Sequence, residues 1–208
     1  MNSFNTAERA TPSGESTRSA AAQMVTWQGY DVPRLEQVRF LLSERKLRAS
    51  GRLVTAGPAE QFSGSFEVSV GETGAVKRLL LRTATVSEER QISVSRSPEG
   101  IWLVDSGQGA ERADFDGAVD VDVQFAVLFN AIPIRRLNLQ QEEGDHEIPV
   151  VYVTLPDLSV QLVRQRYRTV SIGEDRAVVS FTHGEFEQDI TVDRTGLVVD
   201  YPRIAYRI

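Results

Sequence analysis

The sequence predicts a mainly β domain in which a many-stranded, mostly antiparallel sheet wraps around one apolar helix. Three observations support this prediction. Apolar and polar residues alternate over many short stretches, clusters of Gly, Asp, Ser and Pro separate these stretches, and one segment changes to helical spacing. Short alternating strands joined by turns are typical of antiparallel barrels, rolls and sandwiches, whereas parallel strands need long crossover connections.

The N-terminal segment differs from the rest of the chain. Residues 1–24 are rich in Ser, Thr, Ala, Gly and Glu, which predicts a disordered tail before a single β domain over residues 25–208. The tail has no apolar run suited to a signal peptide. No part of the chain approaches the roughly 18 consecutive apolar residues of a membrane span. We therefore expect no transmembrane segment and a cytoplasmic location.

The clearest strand signal is FSGSFEVSV, residues 62–70. Phe62, Phe66 and Val68 share one face, and Ser and Glu residues occupy the other. Residues 35–48 also fit helical spacing, and we interpret them as strand. Further alternating stretches are RQISVSR, GIWLVD, VDVDVQF, IPVVYVTL, RAVVSF and FEQDITV.

The most apolar segment is VDVQFAVLFNAIPIRRL, residues 121–137. Alternation holds up to Phe125, and apolar residues then follow the i, i+3, i+4, i+7 spacing of a helix face. A helix from Phe125 to about Ile132 would be apolar on nearly all sides, so protein or ligand must surround it. Pro133 is expected to end or kink this helix.

Two adjacent arginines, Arg135 and Arg136, follow the apolar segment. Adjacent side chains diverge, so one arginine is expected to point inward. A buried arginine without an anionic or polar partner is costly, and it must therefore meet an acidic residue or a polar ligand group. The alternative is that both supply positive charge near the C-terminal end of the helix.

In the segment RQRYRTV, three arginines alternate with Gln165 and Tyr167. The alternation places Gln165 and Tyr167 toward the interior, where a glutamine needs hydrogen-bond partners. Gln165 is therefore either a satisfied polar group of the core or part of a polar ligand site.

Composition and motifs exclude several function classes. The formal charge of −6 argues against a protein built to neutralise nucleic-acid phosphates, and the absence of Cys excludes thiolate chemistry. The chain lacks the GxSxG, GxxxxGK[ST] and GxGxxG spacings, and we predict no cofactor. His146 and His183 are expected to be exposed loop residues.

A cluster of acidic residues, DFDGAVDVD, precedes the apolar segment. Its spacing does not match a calcium-binding EF-hand loop, because Phe125 occupies the position of the bidentate glutamate. Asp120 and Asp122 alternate with valines and are expected to face away from the apolar side. We predict no metal site.

The segments DVDVQFAVLFNAIPIRRLNL, QRY at 165–167 and TVDRTGLVVDYPRIAYR together resemble the glycolipid-binding family, a bacterial domain of unknown function. The likeness spans roughly Trp27 to the C-terminus. It implies a spiral β-roll or half-barrel, usually a homodimer, that binds a lipid or glycolipid. The positions that correspond by motif are Asp120, Asp122, Asn130, Pro133, Arg135, Arg136, Gln165, Tyr167, Asp193, Tyr201 and Pro202.

Three functions stay open at this point. The first is non-enzymatic binding or carrying of a lipid or glycolipid-like amphiphile, and the second is a structural or interaction module with a filled core. The third is a carboxylate-dependent hydrolase with an arginine as anion clamp. No catalytic motif is present, so we expect a binding protein whose ligand head lies near Asn130 and one of the arginines. The candidate ligand-binding residues are Asn130, Arg135, Arg136, Gln165, Tyr167 and Tyr201.

Overall fold

The computed structural model of the chain describes residues 22–43, 46–57 and 61–208. They form a 15-stranded sheet and one helix, α1 (Leu128–Arg136). The strands are β1 (Ala22–Gly29), β2 (Arg34–Leu42), β3 (Leu47–Ala56), β4 (Gln61–Val70), β5 (Val76–Ala84), β6 (Glu89–Arg96), β7 (Trp102–Asp105), β8 (Ala110–Ala113), β9 (Asp120–Val123), β10 (Asp145–Val153), β11 (Val160–Ile172), β12 (Arg176–His183), β13 (Phe186–Asp193), β14 (Val198–Tyr201) and β15 (Ala205–Arg207).

The strand order is β8-β7-β6-β5-β4-β3-β2-β1-β15-β14-β13-β12-β11-β10-β9. Most neighbours in the sheet are neighbours in the chain, because short turns join antiparallel strands. The exception in direction is β9, which pairs with β10 in parallel. Helix α1 lies between these two strands in sequence, as a parallel crossover requires. The prediction of a mainly β fold with a mostly antiparallel sheet is confirmed.

The sheet curls until one of its ends meets its own earlier strands. Strand β9, at one end of the strand order, comes beside β5, where the Val76 amide donates to the Val119 carbonyl at 2.9 Å. Nearby, the Trp102 indole N–H donates to the Ala118 carbonyl at 3.0 Å. Strands β6 to β8 continue past this junction in the strand order. The sheet therefore forms a roll, and one of its edges is protected by its own earlier strands.

Helix α1 fills the interior of the roll. All its residues from Leu128 to Ile134 are buried. The structure corrects the expected bounds, since the helix begins at Leu128 instead of Phe125 and Pro133 lies within it. The helix continues past Pro133 because the surrounding sheet holds it, and the Leu137 amide donates to the Pro133 carbonyl at 2.9 Å. Among the residues described, no helix is long and apolar enough to cross a membrane.

Strand β9 is buried along its whole length. Asp120 and Asp122 alternate with the valines as expected, but the face they occupy is buried as well, since Asp120 is 1% exposed and Asp122 is 9% exposed. Both carboxylates are compensated by polar partners inside the roll, Arg136 for Asp120 and Gln165 for Asp122. The alternating pattern separates the two faces of a strand, but it does not tell whether a second layer covers both.

The N-terminal boundary also changes. Residues 22–24 belong to strand β1 and not to the tail expected over residues 1–24, and residues 1–21 lie outside the described residues. The region 35–48 falls mainly in strands β2 and β3, which agrees with its interpretation as strand.

A glycine makes room for an aromatic contact between sheet and helix. Gly51 on β3 lies opposite Phe66 on β4, and a Cβ atom at Gly51 would come within 2.2 Å of the Phe66 ring. The Phe66 ring in turn packs edge-on against Phe129 of α1, with centroids 5.1 Å apart. Gly51 therefore lets the sheet support the helix through Phe66.

We expect Gly51→Ala to lower the free energy of unfolding by about 1–3 kcal/mol, because the added methyl displaces a buried ring. Urea denaturation measures this loss. Gly64→Ala is the matched control, since Gly64 also faces inward but its nearest neighbour would lie 3.6 Å from the new Cβ. Equal losses in the two variants would show that the ring contact is not the cause.

Candidate functional site

The N-terminal end of α1 is capped by a side chain from the sheet. The Glu36 carboxylate, on the inner face of β2, accepts hydrogen bonds from the Val127 amide at 2.5 Å and the Leu128 amide at 3.3 Å. The helix has no side-chain cap of its own. Glu36 is only 1% exposed. It therefore pairs amide groups that would otherwise be buried without acceptors.

Burial raises the pKa of Glu36 from 4.5 to about 7, and the two amide hydrogen bonds oppose this rise. Glu36 is not among the candidate residues that the sequence predicts. The available signal was its position in LEQVRF, where it shares a face with Val38 and Phe40. Leu35 and Leu41 make the opposite face look equally apolar, which concealed the inward direction of Glu36.

A chain of hydrogen bonds runs from the helix into the sheet. Asn130 Nδ2 donates to Tyr167 Oη at 3.2 Å, and Tyr167 Oη donates to Gln165 Oε1 at 3.1 Å. Gln165 Nε2 then donates to Asp122 Oδ2 at 2.7 Å. Gln165 is 1% exposed and Tyr167 is fully buried, as the alternation of β11 predicts. In this series of hydrogen bonds, each residue donates to the next one, and the series ends at the Asp122 carboxylate.

A cleft of about 210 Å³ opens beside the start of α1. Buried polar groups lie at its base, contributed by Asp122, Asn130 and Tyr201. The remaining lining side chains are mainly half-buried and largely aromatic or aliphatic. They include Phe125, Tyr152, His183, Phe186 and Ile204 around the opening, and the buried ring of Phe181.

Several polar atoms of the cleft are not used by the fold. Within the described residues, no hydrogen bond involves Asn130 Oδ1 or the hydroxyl groups of Tyr152 and Tyr201. Burial and the nearby Asp122 carboxylate raise the pKa of Tyr152 to about 12 and that of Tyr201 further. Both phenols therefore stay neutral and can donate or accept hydrogen bonds.

Burial also raises the pKa of Asp122, while its hydrogen bond with Gln165 and the charge of His183 act in the opposite direction. His183 is not the exposed loop residue expected from the sequence. It ends strand β12, is half-buried and packs edge-on against Tyr152 with ring centroids 5.2 Å apart. The polar turn that follows His183 made it resemble a loop residue. Its ring instead forms part of the cleft wall, against Tyr152.

The two arginines lie near the other end of the helix. Arg136 is the inward one, and its guanidinium pairs with the Asp120 carboxylate through Nε at 3.1 Å and a terminal nitrogen at 2.5 Å. Arg135 donates to the Thr195 carbonyl and, at 2.8 Å, to the Ser43 carbonyl. Burial lowers the pKa of Arg135.

The six candidate residues therefore separate into three groups. Asn130 and Tyr201 line the cleft, whereas Gln165 and Tyr167 lie behind it in the hydrogen-bond chain. The arginines at 135 and 136 line a different depression, of about 950 Å³, near the C-terminal end of α1. Asn130 and the arginines thus border different cavities, although one helix carries them all.

Two further residues of the family motif, Asp193 and Pro202, lie at turns between strands. Asp193 accepts hydrogen bonds from the Thr195 amide at 2.8 Å and pairs with Arg207 at 2.8 Å, which orders the turn between β13 and β14. Pro202 follows Tyr201 in the turn before β15. Among the described residues, no three His, Asp or Glu side chains converge in a way that could hold a metal ion.

The rolled sheet, its central helix and its cleft define a barrel-like β-roll domain. The chain belongs to the family described as "Putative glycolipid-binding", whose model matches residues 24–207. No protein among the curated sequences compared with the chain matches it significantly.

Two crystal structures of other proteins resemble the chain. The first is a DUF1089 family protein from Pseudomonas aeruginosa, with a TM-score of 0.65 and 20% identity over 97% of this chain and 100% of that one. The second is a β-barrel-like protein of the domain of unknown function DUF1849 from Brucella abortus, with a TM-score of 0.47 and 9% identity over 89% and 93% of the two chains. At 20% identity, the first likeness supports the fold alone.

We expect the stability of the wild type to fall relative to Glu36→Gln as pH rises from 4.5 to 8. The pKa of Glu36 rises from 4.5 to about 7 on folding, so the folded protein holds this proton more tightly than the unfolded chain does. The stability contribution is fully present below pH 4.5 and is lost as pH passes 7. The shift corresponds to about 3 kcal/mol. Urea denaturation at several pH values tests this, and parallel curves for the two proteins would contradict it.

Asp120→Ala is expected to lower the free energy of unfolding by about 3 kcal/mol, because it leaves the Arg136 guanidinium largely buried without its carboxylate. Thermal and urea denaturation measure the effect. Asp145→Ala is the control, since it removes an exposed carboxylate that pairs with Arg166 at 2.5 Å. Solvent screens that pair, so we expect a much smaller loss. A loss in Asp145→Ala as large as that in Asp120→Ala would contradict the distinction.

Proposed function

We propose that the protein binds an amphiphile with a carbohydrate head, such as a glycolipid, in the cleft beside the start of α1. The observation that carries the proposal is the set of polar atoms lining this cleft that the fold leaves unused: Asn130 Oδ1 and the Tyr201 hydroxyl at the base, and the Tyr152 hydroxyl nearer the opening. These atoms are not sealed inside the protein, so ligand hydroxyls can replace water as their hydrogen-bond partners.

The distribution of polarity gives the ligand a direction. The polar head would lie against Asn130 and Tyr201 at the base, and the apolar part against Phe125, Phe186 and Ile204 near the opening. The Asp122 carboxylate at the base can accept hydrogen bonds from sugar hydroxyls and would repel an anionic head. A neutral sugar therefore suits the cleft better than a phosphate.

The size of the cleft limits what it holds. At about 210 Å³ it is smaller than the roughly 300–1,000 Å³ common for complete drug-sized ligands. One end of an amphiphile would occupy it, and the rest of the molecule would extend outward. Helix α1 and the core side chains occupy the interior of the roll, so the proposed binding mode needs no internal tunnel.

The arrangement of the acids favours binding over hydrolysis. Asp120 is held by Arg136, and Asp122 is bonded to Gln165 at 2.7 Å. The arginines expected to act as an anion clamp border a different depression. The proposed role is therefore non-enzymatic. The homodimer and the cytoplasmic location stay predictions from the sequence.

Native mass spectrometry and calorimetric titration with octyl glucoside, below its micelle concentration, test the proposal. We expect specific binding of octyl glucoside and weaker binding of both octanol and glucose, because each lacks half of the contacts. Tyr201→Phe removes one hydroxyl and keeps the ring. We expect it to weaken octyl glucoside binding roughly three- to tenfold, the usual effect of one lost hydrogen bond.

Tyr206→Phe is the matched control, because Tyr206 packs against Tyr30 with ring centroids 4.8 Å apart and does not line the cleft. It should bind octyl glucoside as the wild type does. Absence of octyl glucoside binding, together with purified protein that carries no lipid, would overturn the proposal and favour a structural module with a filled core. Equal losses of octyl glucoside affinity in the two tyrosine variants would show that the cleft is not the binding site.

A further inference from the structure

The outer face of strands β2 to β5 is strongly basic. Alternate residues of these strands point outward, and five exposed arginines lie among them. We call this surface the arginine face; its arginines are Arg39, Arg48, Arg52, Arg78 and Arg82. Glu67 is the one acidic side chain at the outward positions of these four strands. This concentration contrasts with the net charge of −6 for the whole chain.

The register of the sheet arranges four of these arginines in two rows across the strands. Arg52 on β3 lies opposite Ser65 on β4, and Ser65 lies opposite Arg82 on β5. A second row repeats the arrangement four residues along, with Arg48, Ser69 and Arg78. The two arginines of a row are two strand spacings apart, about 10 Å. The serine between them is small, so both guanidinium groups can reach one anion above it.

The fold does not use these charges. Within the described residues, no ion pair involves any arginine of the arginine face; Arg82 donates to the Gln91 side chain at 2.6 Å. By contrast, Arg136, Arg164, Arg166, Arg194 and Arg207 are each paired with a carboxylate. Five positive charges with only Glu67 among them repel each other, and an anionic partner would relieve this repulsion.

Apolar side chains project from the same surface. Met24 is 60% exposed, Leu35 48% and Val54 51%. Met24 lies opposite Arg39 in the pairing of β1 with β2, and Val54 lies opposite Leu35 in that of β2 with β3. The combination of arginines with exposed aliphatic side chains is typical of surfaces that bind the interface of an anionic membrane.

We propose that the arginine face docks the protein on a bilayer containing anionic phospholipids. The paired guanidinium groups of each row would bind lipid phosphates, and Met24, Leu35 and Val54 would contact the region of the glycerol and upper acyl chains. A nucleic acid suits this surface less well. The outward positions of β2 to β5 carry no aromatic side chain on which bases could stack, and all three of their phenylalanines point inward.

Vesicle flotation with the full chain tests the proposal. Phosphatidylcholine vesicles are compared with vesicles in which part of the phosphatidylcholine is replaced by phosphatidylglycerol. We expect binding only to the phosphatidylglycerol vesicles, and release at high salt because ions screen the exposed charges. Arg52→Gln combined with Arg82→Gln should weaken this binding roughly 30-fold, and Arg48→Gln with Arg78→Gln should have a similar effect.

The matched control is Arg168→Gln combined with Arg176→Gln. These two arginines are exposed, lie on β11 and β12, and make no ion pair among the described residues, so the net charge changes equally. We expect this variant to bind vesicles as the wild type does. An equal loss of vesicle binding in the control would show that binding depends only on net charge, and it would overturn the proposal.

Two further outcomes would also overturn it. One is no binding of the wild type to phosphatidylglycerol vesicles at low salt. The other is binding to a DNA oligonucleotide, dependent on Arg52 and Arg82, without binding to vesicles, which would assign the surface to nucleic acid. Tyr201→Phe should keep full vesicle binding because Tyr201 lies in the cleft, so a failure of the proposed ligand site and a failure of membrane docking can be told apart.

Discussion

The contact between the Glu36 carboxylate and the first amides of α1 is the interaction on which the interior of the roll depends. An apolar helix can slide or rotate inside an apolar wall at little cost, since hydrophobic contacts are non-directional. The hydrogen bonds from Val127 and Leu128 to Glu36 are directional, and a buried carboxylate without them would be very unfavourable. Glu36 therefore fixes both the depth and the orientation of the helix start.

Two other polar contacts complete this arrangement. The Asp120–Arg136 pair holds the last turn of α1 against β9, and the Asn130–Tyr167 hydrogen bond fixes its rotation toward β11. Each contact joins the helix to a different strand. The cleft follows from this arrangement, because the same rotation that directs Asn130 Nδ2 into the wall leaves its Oδ1 outside the hydrogen-bond network of the fold.

The alternation in the sequence predicts the strands, the roll-like wrapping and the inward direction of Gln165 and Tyr167. It fails where burial depends on a second layer. Asp120 and Asp122 sit on a strand covered on both faces, and Glu36 sits between leucines that conceal its direction. Pro133 follows the same principle, because tertiary packing overrides a local preference to end the helix. The local pattern shows which residues share a face of a strand. Whether that face is buried depends on residues distant in sequence that pack against it.

The same alternation connects the interior site with the outer surface. On β2, Glu36 points inward to cap the helix, while Gln37 and Arg39 point outward on either side of Val38. A shift of this strand by one residue would place Glu36 outside, bring Leu35 or Gln37 to the helix N-terminus, and turn Arg39 into the apolar interior, where an unpaired charge is unfavourable. The helix cap and the arginine face therefore require the same register. The net charge of the chain is acidic, but it is an average over the whole chain. It is compatible with a basic surface because the register of β2 to β5 places the five arginines of the arginine face on the outer side of the sheet.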